Sequence, residues 1–146
     1  APYIAADLAG VTIDTDEIFN KYTRIEEFVD CVLVEGAGGW LVPLNEDETL
    51  ADLARLLGLD VIMVVAIRLG CLNHALLTAA AIVAAGCTLI GWVANLMPLQ
   101  SESAQENISA LESRISAPLL GVLPGFQRFS ARAVAEKLWL PPPTNR

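Results

Sequence analysis

The feature that most constrains the fold is an alternation of short aliphatic runs, each about one strand long, with segments whose apolar residues recur at helical spacing. Val61–Ile67 (VIMVVAI) is unbroken β-forming aliphatic sequence of the kind that suits a strand covered on both faces. Residues 72–85 are almost wholly apolar and end at Gly86, which predicts a helix buried on most of its circumference. Residues 89–94 and Leu119–Leu123 read as two further strands. Between them, Ser103-x-x-Glu106 has the form of a capping box opening a helix through Ile115. Upstream, Ile18, Phe19, Tyr22, Ile25 and Phe28 step by threes and fours, predicting an amphipathic helix over 15–29. Residues 32–35 then read as a strand, and Thr49-Leu-Ala-Asp as the start of a helix closed by Gly58. A last helix is expected over 130–138. Strands and helices alternating at this spacing form βαβ units, so the predicted class is α/β: a parallel sheet with helices on both faces. One domain is expected over 1–140, with the proline-rich 141–146 as a frayed tail.

A chain of 146 residues, 54% of them hydrophobic, can bury one substantial core. No apolar run approaches the roughly 18 residues of a membrane span, so no membrane partner is expected. The formal charge of -8, with Lys21 and Lys137 as the only lysines, provides no basic patch, which argues against a nucleic-acid partner. A small anion is not excluded, because a magnesium ion and a few local donors outweigh net charge inside a cleft. Cys31, Cys71 and Cys87 are odd in number and lack metal-ligand spacing, which suits a reducing, cytoplasmic compartment. No basic region followed by an apolar core marks a secretory signal at the start, and Ala1 in place of a methionine suggests a portion of a longer chain.

In such sheets ligands sit beyond the carboxyl ends of the strands, which focuses attention on four loops. The first is Glu35-Gly36-Ala37-Gly38-Gly39, a carboxylate delivered by an aliphatic run into three glycines. Glu35 could simply end a strand and pair with a neighbour, or it could orient magnesium beside a phosphate, where glycines let the ligand approach the backbone. The second, Arg68 to His74, leads into the long helix and presents backbone N–H groups where an anion binds well. Gly70 making only the turn and Asn73 only a cap is the structural alternative. His74 has neither a carboxylate nor a nucleophile near it in sequence and suits surface packing, and Cys71 lacks a partner base. Asn95, at the end of the third run, and Pro124-Gly125-Phe126, after the fourth, could frame a purine ring or be structural. No Gly-x-x-x-x-Gly-Lys-Ser/Thr phosphate loop occurs in the chain, so half of a nucleotide site stands without its usual other half.

Val-Glu-Gly-Ala-Gly-Gly-Trp at 34–40, Leu-Gly-Cys-Leu-Asn-His-Ala at 69–75, Gly-Trp-Val-Ala-Asn at 91–95, and Ala-Pro-Leu-Leu-Gly at 117–121 with Leu-Pro at 123–124 resemble the dethiobiotin synthetase family. The resemblance covers nearly the whole chain. It implies a phosphate-loop NTPase-like sheet whose amino-terminal part is missing here, and a homodimer with each substrate site completed across the interface. It further implies that Glu35 is the magnesium-associated carboxylate, that Gly36, Ala37 and Gly38 line the nucleotide phosphates, and that Asn95 and Leu96 with Pro124, Gly125 and Phe126 hold the nucleotide base. Gly70, Cys71, Leu72 and Asn73 look like the helix start that receives the carboxylate of 7,8-diaminopelargonate bound mainly to the other subunit. The family's catalytic lysines have no counterpart among these residues, so the chain is expected to carry no catalytic residue of its own. Leu96 stands where family members often carry an acidic residue, and no Glu follows Phe126 before Glu136, which leaves the ribose contacts unassigned.

The activity so implied is ATP- and Mg2+-dependent: 7,8-diaminopelargonate and CO2 are joined and closed to dethiobiotin, in biotin biosynthesis. The chain is expected to be the carboxy-terminal portion of such an enzyme, inactive alone. The rival is a shortened paralogue acting as a nucleotide-binding or dimerisation module. A related ATP-dependent amidoligase shares the general fold but is not expected to reproduce Leu-Gly-Cys-Leu-Asn-His.

Overall fold

The computed structural model describes residues 1–96, 103–125 and 130–140. The backbone divides into two compact units, Ala1–Leu59 with Ala85–Cys87 and Asp60–Ala84 with the residues from Thr88 onward.

The second unit holds the sheet. Strands β1 (Val61–Ile67), β2 (Leu89–Leu96) and β3 (Leu119–Leu123) lie in that order and both pairings are parallel. Helix α1 (Cys71–Ala84) connects β1 to β2, and α2 (Ala104–Glu112) lies between β2 and β3. Parallel neighbours require such crossovers, so the alternation read from the sequence is realised here as an α/β sheet with helices packed on it. Alternation along β1 turns Met63, Val65 and Ile67 into the core, while Val64 points out to solvent. They pack with Trp92 and Ala94 of β2, Cys71 and Ala75 of α1, and Ile108 and Leu111 of α2. The central strand is buried from Gly91 to Ala94, as expected for a strand flanked on both sides. After β3, the short helix α3 (Ala131–Ala135), capped by the Ser130 hydroxyl, leads to a strap that crosses β3, where the Trp139 N–H donates to the Leu120 carbonyl at 2.8 Å.

Two expectations for this unit are corrected. Only Cys71, Ala75 and Ile82 of α1 are buried, and Leu77 and Val83 are exposed, so one stripe of this apolar helix is covered rather than most of its circumference. The Ser103 capping box does not form, because Ser103 at φ -97° and ψ 22° is outside the extended region an N-cap hydroxyl needs.

The first unit is helical. Here α4 (Pro2–Leu8), which the sequence reading did not anticipate, starts on Pro2 at its first turn. Next, α5 (Thr15–Glu26) is capped by the Asp14 carboxylate and packs Ile18, Phe19 and Tyr22 onto Leu44, Leu53 and Leu57. It ends before Phe28, which is 84% exposed. The capping box at Thr49 is present and opens α6 (Leu50–Leu56): the Thr49 hydroxyl accepts from the Asp52 N–H, and Asp52 accepts from Thr49 N–H at 2.9 Å.

Residues 32–35 form no strand, which corrects the sequence reading. Among the described residues this unit has one isolated bridge, Pro43 to Thr49, and no named strand. An aliphatic run has no ladder to join where its unit offers none, and Leu33 is left 89% exposed.

Candidate functional site

In the sheet unit, register brings three of the four loops to one edge. Ala66 pairs with Asn95 and Asn95 with Leu123, so the carboxyl ends of the three strands stand side by side. Asn95 and Leu96 close the central strand, Pro124 and Gly125 leave β3 one residue beyond Leu123, and the 68–70 turn leaves β1. Strands stopping level with each other leave their following loops to form the walls of a cleft, the usual ligand position in open α/β sheets. Phe126 lies outside the described residues.

The 68–70 turn is built by Gly70 at φ +89°, a left-handed conformation that glycine adopts without strain. The Cys71 N–H donates to the Arg68 carbonyl at 3.0 Å and the His74 N–H to the Gly70 carbonyl at 3.2 Å, so the turn runs directly into α1. Cys71 is buried against the sheet core, Leu72 is half-buried, and Asn73 and His74 are exposed. Burial of Cys71 anchors the helix start and leaves the positions beside it to face outward, where N-terminal amides attract an anion.

Glu35, Gly36, Ala37 and Gly38 belong to the other unit and are exposed. Gly38 and Gly39 take φ +94° and +131°, and a Cβ on Gly38 would stand 3.0 Å from a methyl of Val42. A Cβ on Gly36 would meet Leu50 at 3.4 Å. The inner side of the loop therefore rests on Val42 and Leu50. Val42 N–H donates to Gly39 carbonyl at 3.3 Å and Leu50 N–H to Val42 carbonyl at 2.9 Å, tying the loop to the chain that follows it.

Among the described residues no three His, Cys, Asp or Glu side chains gather as a metal site. A lone exposed carboxylate beside a glycine loop fits magnesium, which takes one or two carboxylates and fills its remaining positions with phosphate oxygens and water. It does not fit a zinc or calcium cage.

One cluster escaped the sequence reading. Glu48 accepts from the Thr15 hydroxyl, which lies 2.9 and 2.8 Å from its two carboxylate oxygens, and from Asn45 Nδ2 at 2.8 Å. Its local half was detectable, since Asn45 before two acidic residues is an Asx-turn pattern, and Asn45 Oδ1 does accept from the Asp47 and Glu48 N–H groups at 3.0 and 2.8 Å.

A parallel α/β sheet with helices packed on it is consistent with the phosphate-loop NTPase-like class. A family model described as an AAA domain matches residues 1–132, and the chain belongs to that family. It is 54% identical to the ATP-dependent dethiobiotin synthetase BioD of Janthinobacterium sp. (strain Marseille), over 85% of this chain and 52% of that protein. It is 49% identical to the enzyme of the same name from Nitrosospira multiformis, over 94% of this chain and 61% of the relative. With that from Aromatoleum aromaticum it shares 50% identity over 97% and 63%. The resemblance carried by the four loops thus holds along most of the chain, which spans between half and two thirds of the length of these relatives.

Proposed function

We propose that this chain is the carboxy-terminal, nucleotide- and substrate-holding portion of an ATP-dependent dethiobiotin synthetase acting in biotin biosynthesis. The observation that carries the reading is the meeting of three family-like loops, at 70–73, 95–96 and 124–125, on one sheet edge. In the reaction, 7,8-diaminopelargonate and CO2 form a carbamate, ATP phosphorylates it, and the second amine displaces phosphate to close the cyclic urea.

In this reading the Asn95 amide offers both a donor and an acceptor to the adenine edge, with Leu96, Pro124 and Gly125 against the ring. Gly36, Ala37 and Gly38 admit the phosphates to the backbone, and Glu35 holds magnesium, which when bound offsets phosphate charge. The start of α1, Gly70, Cys71, Leu72 and Asn73, receives the substrate carboxylate from the second subunit of a cytoplasmic homodimer, with the exposed apolar Leu77 and Val83 of the same helix in keeping with a protein-covered face.

Phosphoryl transfer draws its rate from positive charge on the γ-phosphate, and this chain has neither a phosphate loop nor a lysine in any of the four loops. It is therefore inactive by itself. The natural full-length polypeptide should convert 7,8-diaminopelargonate, bicarbonate and MgATP into dethiobiotin and phosphate, read by mass spectrometry, whereas the 146-residue chain should give none. ATP hydrolysis indifferent to diaminopelargonate, or turnover by the chain alone, would overturn the reading.

A further inference from the structure

Thr15, Glu48 and Asn45 form a polar cluster in the same unit as the glycine loop. Thr15 is 5% exposed and is the one polar residue in the buried set among the described residues. Its hydroxyl lies within 2.9 Å of both Glu48 carboxylate oxygens, and Asn45 Nδ2 reaches Glu48 at 2.8 Å and the Ile13 carbonyl at 3.1 Å. The carboxylate thereby joins the start of α5 to the 45–48 turn, across 33 residues of sequence. That turn closes a narrow loop: Leu44 N–H donates to the Glu48 carbonyl at 2.8 Å, Pro43 and Thr49 bridge, and Leu50 N–H donates to Val42 carbonyl at 2.9 Å. The two arms end in Val42 and Leu50, the same side chains on which Gly38 and Gly36 rest.

We infer that Glu48 is a positioning residue for the nucleotide loop: by locking the 42–50 loop to Thr15 it sets the height of Gly36–Gly38 and hence where the Glu35 carboxylate stands. Glu48 touches neither nucleotide nor substrate and acts through Val42 and Leu50. A carboxylate that accepts from both the Thr15 hydroxyl and the Asn45 amide suits this task, because it orients two neighbours at once. The inference rests on the reading of residues 35–38 as a phosphate-side loop.

In the natural full-length polypeptide, Glu48→Ala and, as a gentler cut, Thr15→Val should each raise the KM for MgATP roughly tenfold, the loss of about one good hydrogen bond's worth of binding. The KM for diaminopelargonate should stay within about twofold, since residues 70–73, proposed to receive it, are untouched. Glu48→Gln should return most of the affinity, its amide donating to the Thr15 oxygen and its carbonyl accepting from Asn45. Hydrogen exchange at the 36–39 amides should quicken in Glu48→Ala and Thr15→Val and not in Glu48→Gln. If Glu48→Ala and Thr15→Val lower the melting temperature yet leave the MgATP KM and loop exchange unchanged, Glu48 is merely structural and the inference is wrong. If the unsubstituted protein does not bind MgATP at all, the underlying reading fails first, an outcome distinct from the other.

Discussion

Gly121 of β3 offers the sharpest test of how the strap after α3 is held on the sheet. A Cβ built on it would stand 2.1 Å from the Lys137 carbonyl oxygen, 3.2 Å from the carbon of that carbonyl and 3.0 Å from a Leu138 methyl. Its backbone is ordinary, with no positive φ, so the cost of Gly121→Ala is steric rather than conformational. Carbon and oxygen need roughly 3.2 Å, so the strap must retreat by about 1 Å, and backbone cannot evade the clash as a side-chain tip could. That retreat stretches the Trp139 N–H to Leu120 carbonyl bond from 2.8 Å out of hydrogen-bond range. The lost bond costs about 1 kcal/mol and the overpacking about 1 to 3. Stiffening of the unfolded chain by alanine offsets about 0.4 to 1 kcal/mol, leaving a net loss of about 1 to 3.6 kcal/mol. At about 3 °C per kcal/mol for a domain of this size, the melting temperature of the full-length protein should fall by about 3 to 11 °C in calorimetry. Gly39→Ala is the control, with nothing within 4 Å of its Cβ but φ +131°, so any loss there comes from backbone strain alone. A melting temperature for Gly121→Ala within about 2 °C of the parent would mean that the strap does not press on β3 as described.

Two further outcomes are expected. The Thr49 hydroxyl and N–H groups, with a smaller contribution from Arg55, hold the Asp52 carboxyl below its ordinary value of 3.8, against a smaller opposing effect of burial. A carboxyl whose pKa is lowered by folding stabilises fully above its unfolded value and progressively less as pH falls through the folded one. The urea-midpoint gap between parent and Asp52→Asn should therefore be steady from pH 7 to 5 and narrow toward pH 2.5, and a gap that does not change with pH would mean that the Asp52 charge adds nothing to the capping box. Asn95→Ala should weaken ATP and relax its preference over GTP by roughly tenfold in competition binding, as expected when a base-reading amide is lost, and an unchanged preference would move adenine recognition elsewhere.

What was legible in the sequence was local. Val61–Ile67 and Leu119–Leu123 are strands over the spans their aliphatic runs suggest, and the Thr49 capping box forms as its spacing implies, because a cap is decided within three residues. The long apolar helix begins at Cys71 and Gly86 follows it at φ +78°, again a short-range matter. The same logic misled at Ser103, where the right residue pair met the wrong backbone conformation. Helix α4 carried only a proline at its first turn and no side-chain cap, too little signal for a seven-residue element.

The site itself was legible as residue types and not as an arrangement, for the same physical reason. Residues 32–35 look like a strand because three aliphatic residues in a row suit a buried ladder, but a strand is a property of two segments and composition reports only one. Glu48 is the converse: in sequence it is one more acid in an acidic turn, and only the fold places the Thr15 hydroxyl 2.8 Å from it. Asn95 needed both kinds of information, its amide visible in the sequence and its place between Ala66 and Leu123 visible only in the register. A carboxylate at a loop therefore says little until its partner is known. In the proposed reaction the partner of Glu35 is ligand-borne, whereas that of Glu48 is a buried hydroxyl, and this difference is what divides the two glutamates, thirteen residues apart in one chain, between the binding and positioning roles proposed for them.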